Sequence, residues 1–347
     1  MQRHAIPALA ALALAGLAPA ALAQSPPLVL PRESPAASVS QESGLTTVRV
    51  RYHRPAVNGR AVWGGLVPWN EVWRAGANEN TVLEVSSPFV AGGRPLPAGR
   101  YGLHMIPGQG DWTVILSRQA DAWGSFSYDP AEDAARFAVA PTEAEPTERL
   151  RYELDVVRDG GVAVTLRWER KAVTFPIALD VDRVVLDSLA TQLRGIPRFF
   201  PDGWGNAAGW ALAHGHLAEA GAWADSALGV RRAFDGLWTK AAVLERQGDA
   251  RGAAAMRDEA IAGATEAQVN AAGYWMLQRG RTDEAIVLFR RNVRDYPKSW
   301  NVHDSLAEAL GVKGDRKAAI ASYRTAASLT TDPAQQRRIA QAIAALQ

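Results

Sequence analysis

Gly280, Ala285 and Phe289 recur as Gly314, Ala319 and Tyr323, each 34 residues further along the chain. Gly215 with Ala220, and Gly248 with Ala253, extend the register upstream at slightly shorter spacing. A period of this length marks stacked helical hairpins, each too small to bury its own apolar face. The small residues have a physical reason: glycine ends one helix of a hairpin, and alanine lets the second helix approach the first closely. The repeat therefore predicts an all-α solenoid of four hairpins over 200–347, closed by an amphipathic stretch from Pro333 to Leu346 that covers the exposed apolar end.

Upstream of Asp180 the period is two. Val48, Val50 and Tyr52 alternate with Arg49, Arg51 and His53, the pattern of a half-buried strand. Further strands are expected at Thr81–Ser86, Gly99–Ile106, Trp112–Leu116, Arg136–Val139, Leu150–Val156, Val162–Trp168 and Ala172–Ala178. Gly and Pro turns separate them, among them Ala91-Gly92-Gly93-Arg94, Pro107-Gly108-Gln109-Gly110 and Arg158-Asp159-Gly160-Gly161. Many short strands without an amphipathic helix between them predict an all-β domain over 44–179, an antiparallel sandwich or open barrel. Asp180 caps a connecting helix over 180–199, in which Val181, Val184, Val185, Leu189 and Leu193 keep helical spacing.

The chain opens with a short basic start, an apolar run from Ala5 to Leu22, and Ala21-Leu22-Ala23 before Gln24. That is the organisation of a secretory signal peptide over 1–23, so the mature protein is expected to be exported, periplasmic or secreted, with no transmembrane anchor after cleavage. Ser25–Ser43, rich in proline, serine and alanine, reads as an extended lead-in (24–43) rather than an element. Cysteine is absent, so stability is expected from buried cores, and thiol catalysis is excluded. Lys and Arg number 38 against 36 Asp and Glu, with the two signs interleaved, which argues against nucleic acid as a partner.

The C-terminal half resembles the tetratricopeptide repeat. Ala272, Gly273, Ala285, Phe289 and Pro297 occupy the pattern in the best unit, and Leu306, Ala307, Ala319, Tyr323 and Ala326 in the last, where Thr331 replaces the terminal proline. The resemblance implies a concave surface of first helices for a protein partner, at positions Asn270, Tyr274, Asn301, Asp304 and Glu308. These lack the basic residues that clamp a carboxylate terminus in chaperone-binding members. The alternative is that the hairpins dimerise or brace the β domain.

In the first half, the stretch RYHRPAVNGRAVWGGLVPWNEVWRAGANENT (Arg51–Thr81) packs three tryptophans among glycines and polar groups, with no helical or strand period to account for them. With PLPAGRYGLHMIPG, WTVIL and WGSFSYDPAEDAARF, it resembles the bacterial exported family catalogued as domain of unknown function 2911, over roughly Ser34 to Leu179. That resemblance implies a shared fold and no established activity.

Chemistry is therefore weighed from residue types. The chain has no Gly-x-Ser-x-Gly, no His-Glu-x-x-His and no phosphate loop. His53, Glu79 and His104 are the candidate set for a divalent metal such as zinc, or for acid–base chemistry in a cell-envelope hydrolase or lyase. Each histidine bonding a loop backbone is the plainer alternative. Trp73, Arg74, Asn78, Glu79, Trp123 and Tyr128 combine aromatic faces with directed polar groups, a set suited to a small polar or saccharide ligand. Here the alternative is that the tryptophans plug an open end of the sandwich. The expected function is an exported binding protein, with a ligand-holding β domain and a partner-docking array.

Overall fold

The computed structural model describes residues 30–158 and 160–347. The leader read in residues 1–23 lies outside the described residues. Two compact units meet in the chain at Leu179 and Asp180.

Among the described residues the first unit holds ten strands: β1 (Ala36–Ser43), β2 (Thr46–His53), β3 (Thr81–Val85), β4 (Phe89–Ala91), β5 (Arg94–Leu96), β6 (Gly99–Ile106), β7 (Trp112–Ser117), β8 (Asp133–Val139), β9 (Thr142–Val156) and β10 (Val162–Leu179). They form a six-stranded sheet in the order β1-β2-β3-β6-β7-β8 and a four-stranded sheet in the order β5-β4-β10-β9. The alternation in β2 works as expected, with Thr46, Val48, Val50 and Tyr52 buried. Ring pairs tie one sheet to the other: Tyr52 to Tyr152 at 4.8 Å, Phe89 to Tyr101 at 5.6 Å, and Phe137 to Phe175 at 5.8 Å. The architecture is an antiparallel sandwich, with its core between the inner faces.

Three local differences from the sequence reading have physical causes. The proline- and serine-rich composition of Ser25–Ser43 predicts no element, yet Ala36–Ser43 is an edge strand hydrogen-bonded to β2. Its side chains are mostly exposed or half-buried, so backbone pairing rather than an apolar pattern holds it. Ala91–Arg94 is a turn as expected, with Gly92 and Gly93 at φ 56° and 76°, but it joins two three-residue strands, β4 and β5, too short to show an alternation in the sequence. Val162–Trp168 and Ala172–Ala178 are two halves of the single strand β10, bent at a bulge where Glu169 takes φ 54°.

The second unit is ten helices: α1 (Val181–Gln192), α2 (Pro201–Ala213), α3 (Leu217–Val230), α4 (Phe234–Arg246), α5 (Ala250–Ala262), α6 (Glu266–Leu277), α7 (Thr282–Asp295), α8 (Trp300–Lys313), α9 (Arg316–Leu329) and α10 (Pro333–Leu346). Asp180 caps α1 by accepting the Arg183 N–H. Four hairpins follow, α2 with α3, α4 with α5, α6 with α7 and α8 with α9, and α10 packs on α9. Gly215, Gly248, Gly280 and Gly314 take φ between 73° and 88° at the four hairpin turns, a conformation that disfavours a Cβ. Ala220, Ala253, Ala285 and Ala319 are buried where the second helices meet the first. At Gly273 a Cβ would lie 2.4 Å from the buried Phe289 ring, so that glycine sets the approach of α6 to α7. Ile339 of α10 closes the last cluster on Ala307, Tyr323 and Ala326, as the amphipathic pattern predicts. The unit is a run of stacked helical hairpins, and among the described residues no helix is long and apolar enough to cross a membrane.

Candidate functional site

The Arg51–Thr81 segment becomes an ordered loop because its tryptophans enter the sandwich. Trp63 meets Trp73, Trp112 and Trp168 at 5.7, 4.7 and 5.6 Å, and Trp73 stacks on Trp168 at 5.9 Å. Trp73 also pairs its backbone in both directions with Met105, at 2.8 Å, and donates its indole N–H to the Gly76 carbonyl. Its ring thus plugs and anchors. Two non-glycine residues in the following turn hold left-handed backbone, Ala75 at φ 48° and Asn78 at φ 57°. The Ala75 carbonyl accepts hydrogen bonds from Thr81 Oγ1 at 3.1 Å and Tyr152 Oη at 2.9 Å, which fix that strained residue in place. Asn78 donates to the Ser34 carbonyl.

Glu79 and His53 meet on the outer side of the six-stranded sheet, with His53 Nε2 3.3 Å from Glu79 Oε2. Arg32 grips both carboxylate oxygens at 2.7 Å, and these hydrogen bonds hold the Glu79 pKa below its ordinary value. Burial lowers the His53 pKa; Glu79 opposes the shift and Arg32 adds to it. With the Nε2 proton directed at Glu79, neutral His53 presents Nδ1 as a bare acceptor, and that atom is buried without a hydrogen-bond partner. Asn80 Oδ1 is buried and unpartnered as well. The two residues line a cleft of about 590 Å³, with Arg51, Val82, Arg100 and Asp121 among its walls.

A strap from Ala120 to Asp129 crosses the same face. It is fastened by Arg100, which holds Asp121 at 2.6 and 3.0 Å, and by the Asn80 backbone N–H, which donates to the Ala122 carbonyl. His104 lies under it, 2 % exposed, with Nδ1 2.9 Å from Ser125 Oγ and its ring 5.4 Å from Tyr128. Tyr128 donates to Asp133 and accepts from Arg136. Burial drives the His104 pKa down to about 4. Trp123 and Phe126, 57 % and 84 % exposed, stand on the strap with Arg32 and Arg74 each 6.0 Å from their rings.

The candidate residues therefore separate into groups. His53 and Glu79 come together, whereas His104 is engaged by Ser125 beneath the strap. Among the described residues no group of three His, Asp or Glu side chains is placed to hold a metal ion, and His53, Glu79 and His104 are not drawn into one cluster. Burial of His104 against the strap is the reason. Arg74 borders the strap, Trp123 and Tyr128 belong to it, and Asn78 ties the loop to the lead-in. Sequence reasoning missed Arg32 and Asn80. Arg32 lies 47 residues before Glu79 with no local pattern to connect them.

In the array, Tyr274 of α6 donates to Glu308 of α8 at 2.7 Å, with Ser305 at 3.3 Å. Asp304 is buried and paired with Arg338 of α10 at 2.8 Å, so the closing helix already engages it. Asn270 Oδ1 is buried without a partner, and Asn301 is half-buried on α8. A different part of the first-helix surface is open. A groove of about 780 Å³ is lined by Leu212 of α2, Trp238 and Arg246 of α4, Trp275 of α6, and Arg279. The Arg279 guanidinium stacks 3.8 Å over the Trp275 ring, and among the described residues neither Arg246 nor Arg279 has a carboxylate partner. Glu245 in the same wall is taken by Arg257 and Arg281. Leu212, Trp238 and Arg246 fall in the upstream units, which depart furthest from the repeat pattern, whereas Trp275 and Arg279 belong to the best unit at positions the pattern does not mark.

No curated protein matches the chain by sequence. Among solved structures, YrrB, described as a TPR protein with an unusual peptide-binding site, is 15 % identical with a TM-score of 0.28, over 42 % of this chain and 75 % of its own. PilF of Pseudomonas aeruginosa is 18 % identical with a TM-score of 0.30, over 42 % of this chain and 67 % of its own. MamA is 14 % identical with a TM-score of 0.31, over 45 % and 89 %. Residues 34–177, which run from just before β1 almost to the end of β10, match the family described as "Protein of unknown function (DUF2911)".

Proposed function

We propose that this is an exported, periplasmic binding protein whose helical array docks a protein segment and whose sandwich holds a small polar ligand. The observation that carries the reading is the open groove of the first helices. Trp238 and Trp275 supply apolar contact area, and Arg246 and Arg279 supply positive charge that no carboxylate among the described residues pairs with. Aromatic and arginine side chains are the residues that concentrate binding energy at interfaces. Such a groove suits a segment with apolar and acidic side chains.

A photo-crosslinking residue in place of Thr239, in the groove wall, tests this in the host cell envelope. The expected result is a discrete crosslinked partner whose yield collapses when Arg279→Glu is added. Equal yield with that variant, or no crosslink, would sink the reading. Export has its own check. Amino-terminal sequencing of the protein recovered from cells should begin at Gln24.

The enzymatic alternative now rests on the contact between His53 and Glu79 alone. A His53→Gln variant that keeps its fold while losing turnover of an envelope substrate would revive it.

A further inference from the structure

We propose that Arg74 anchors an oxyanion site in the sandwich, where it takes the carboxylate or phosphate group of a small ligand beside the strap. Among the described residues it is the one partly buried arginine or lysine with neither a hydrogen bond nor an ion pair. Its Nε is buried and unpartnered, and among the described residues its guanidinium meets only the face of Phe126, at 6.0 Å. The neighbouring arginines are all satisfied: Arg32 by Glu79, Arg100 by Asp121, Arg60 by the Ala56 carbonyl.

Taking the Nε of an unpaired, half-buried guanidinium out of water is a cost to the fold, and an oxyanion bound there would offset it. Burial lowers the Arg74 pKa, though a guanidinium so basic stays charged at any physiological pH. Its planar fork matches a carboxylate or phosphate in two parallel hydrogen bonds.

The surroundings hold the group in position. A Cβ at Gly124 would lie 3.1 Å from Arg74 Cδ and Nη1, so the strap passes directly against the side chain at a residue whose φ of +66° also favours glycine. On the chain side, the strained and buried Ala75 follows immediately, and such strain clusters at ligand clamps. Arg74 also lines a cavity of about 240 Å³ with Asn58, Trp73 and Trp168, a volume suited to a small anion. Glu33 lines the same cavity without pairing to it, and is the internal counter-ion to be tested against an external one.

This assignment rests on the reading of the sandwich as a ligand-binding module and is independent of the array. The test uses the full-length protein, with the thermal midpoint followed against inorganic phosphate or acetate, and sodium chloride at matched ionic strength as the control. The wild-type midpoint should rise and saturate with phosphate or acetate and not with chloride. A response confined to phosphate assigns a phosphate ester, and one to acetate a carboxylate. Arg74→Gln should melt above wild type without anion and no longer respond, while Arg74→Lys keeps a weaker response. An anion shift that survives in Arg74→Gln would overturn the role of Arg74 and leave ligand binding by the sandwich standing. No anion response, with Arg74→Gln and Glu33→Gln lowering the midpoint alike, would make the arginine structural and overturn both.

Discussion

His104 shows how far a single residue departs from what its neighbours in sequence suggest. It sits on the polar side of β6, yet the strap buries it and burial pulls its pKa to about 4. The unfolded chain binds a proton near pH 6.5 while the fold resists until about pH 4, so the stabilising contribution is complete above 6.5 and is lost as pH falls between those values. Asp133, the nearby carboxylate, offsets a small part of this. Chemical denaturation from pH 7 to 4 should show a loss on the order of 3 kcal/mol for wild type, and a flatter profile for His104→Gln. Glu169 gives a second residue-scale test. Its positive φ sits in the β10 bulge, where glycine is at ease and a β-branched side chain is not. Glu169→Val should unfold about 1 to 2 kcal/mol more easily than Glu169→Gly, as measured by urea midpoints.

At the scale of elements, close approach decides stability. Gly273 and Phe289 interlock α6 and α7, and Phe289 is fully buried. Phe289→Ala should therefore cost about 3 to 5 kcal/mol, and Gly273→Ala about 1 to 3 kcal/mol by overpacking, both read from denaturant unfolding. A Gly273→Ala variant with wild-type stability would show that α6 and α7 can move apart freely. The repeat spacing made these hairpins legible, because each glycine that turns the chain and each alanine that admits a neighbour recurs at its register. Strand β1 was not legible, since edge pairing leaves no hydrophobic alternation. Neither was the continuity of β10, because a bulge held by a glutamate carries no glycine to mark it.

At the scale of the whole molecule, each unit has a core of its own, rings between two sheets in one and hairpin clusters in the other. Calorimetry should then show Phe175→Ala and Phe289→Ala lowering different parts of the unfolding profile, and a single transition moved equally by both would contradict this. The sequence by itself determined the all-β and all-α halves, the junction at Asp180, and the four hairpins with their closing helix. Period and turn chemistry are local properties, and they suffice for elements of regular pattern. It also marked the Arg51–Thr81 loop as exceptional, through tryptophans that no period explains. Only the tertiary structure decided what those residues do. It sent Trp73 into the aromatic plug, joined Glu79 to an arginine 47 residues away, sealed His104 beneath the strap, and left Arg74 without a counter-charge. Pairings of that kind depend on which distant segments fold onto one face of a sheet, and a linear pattern holds no record of them.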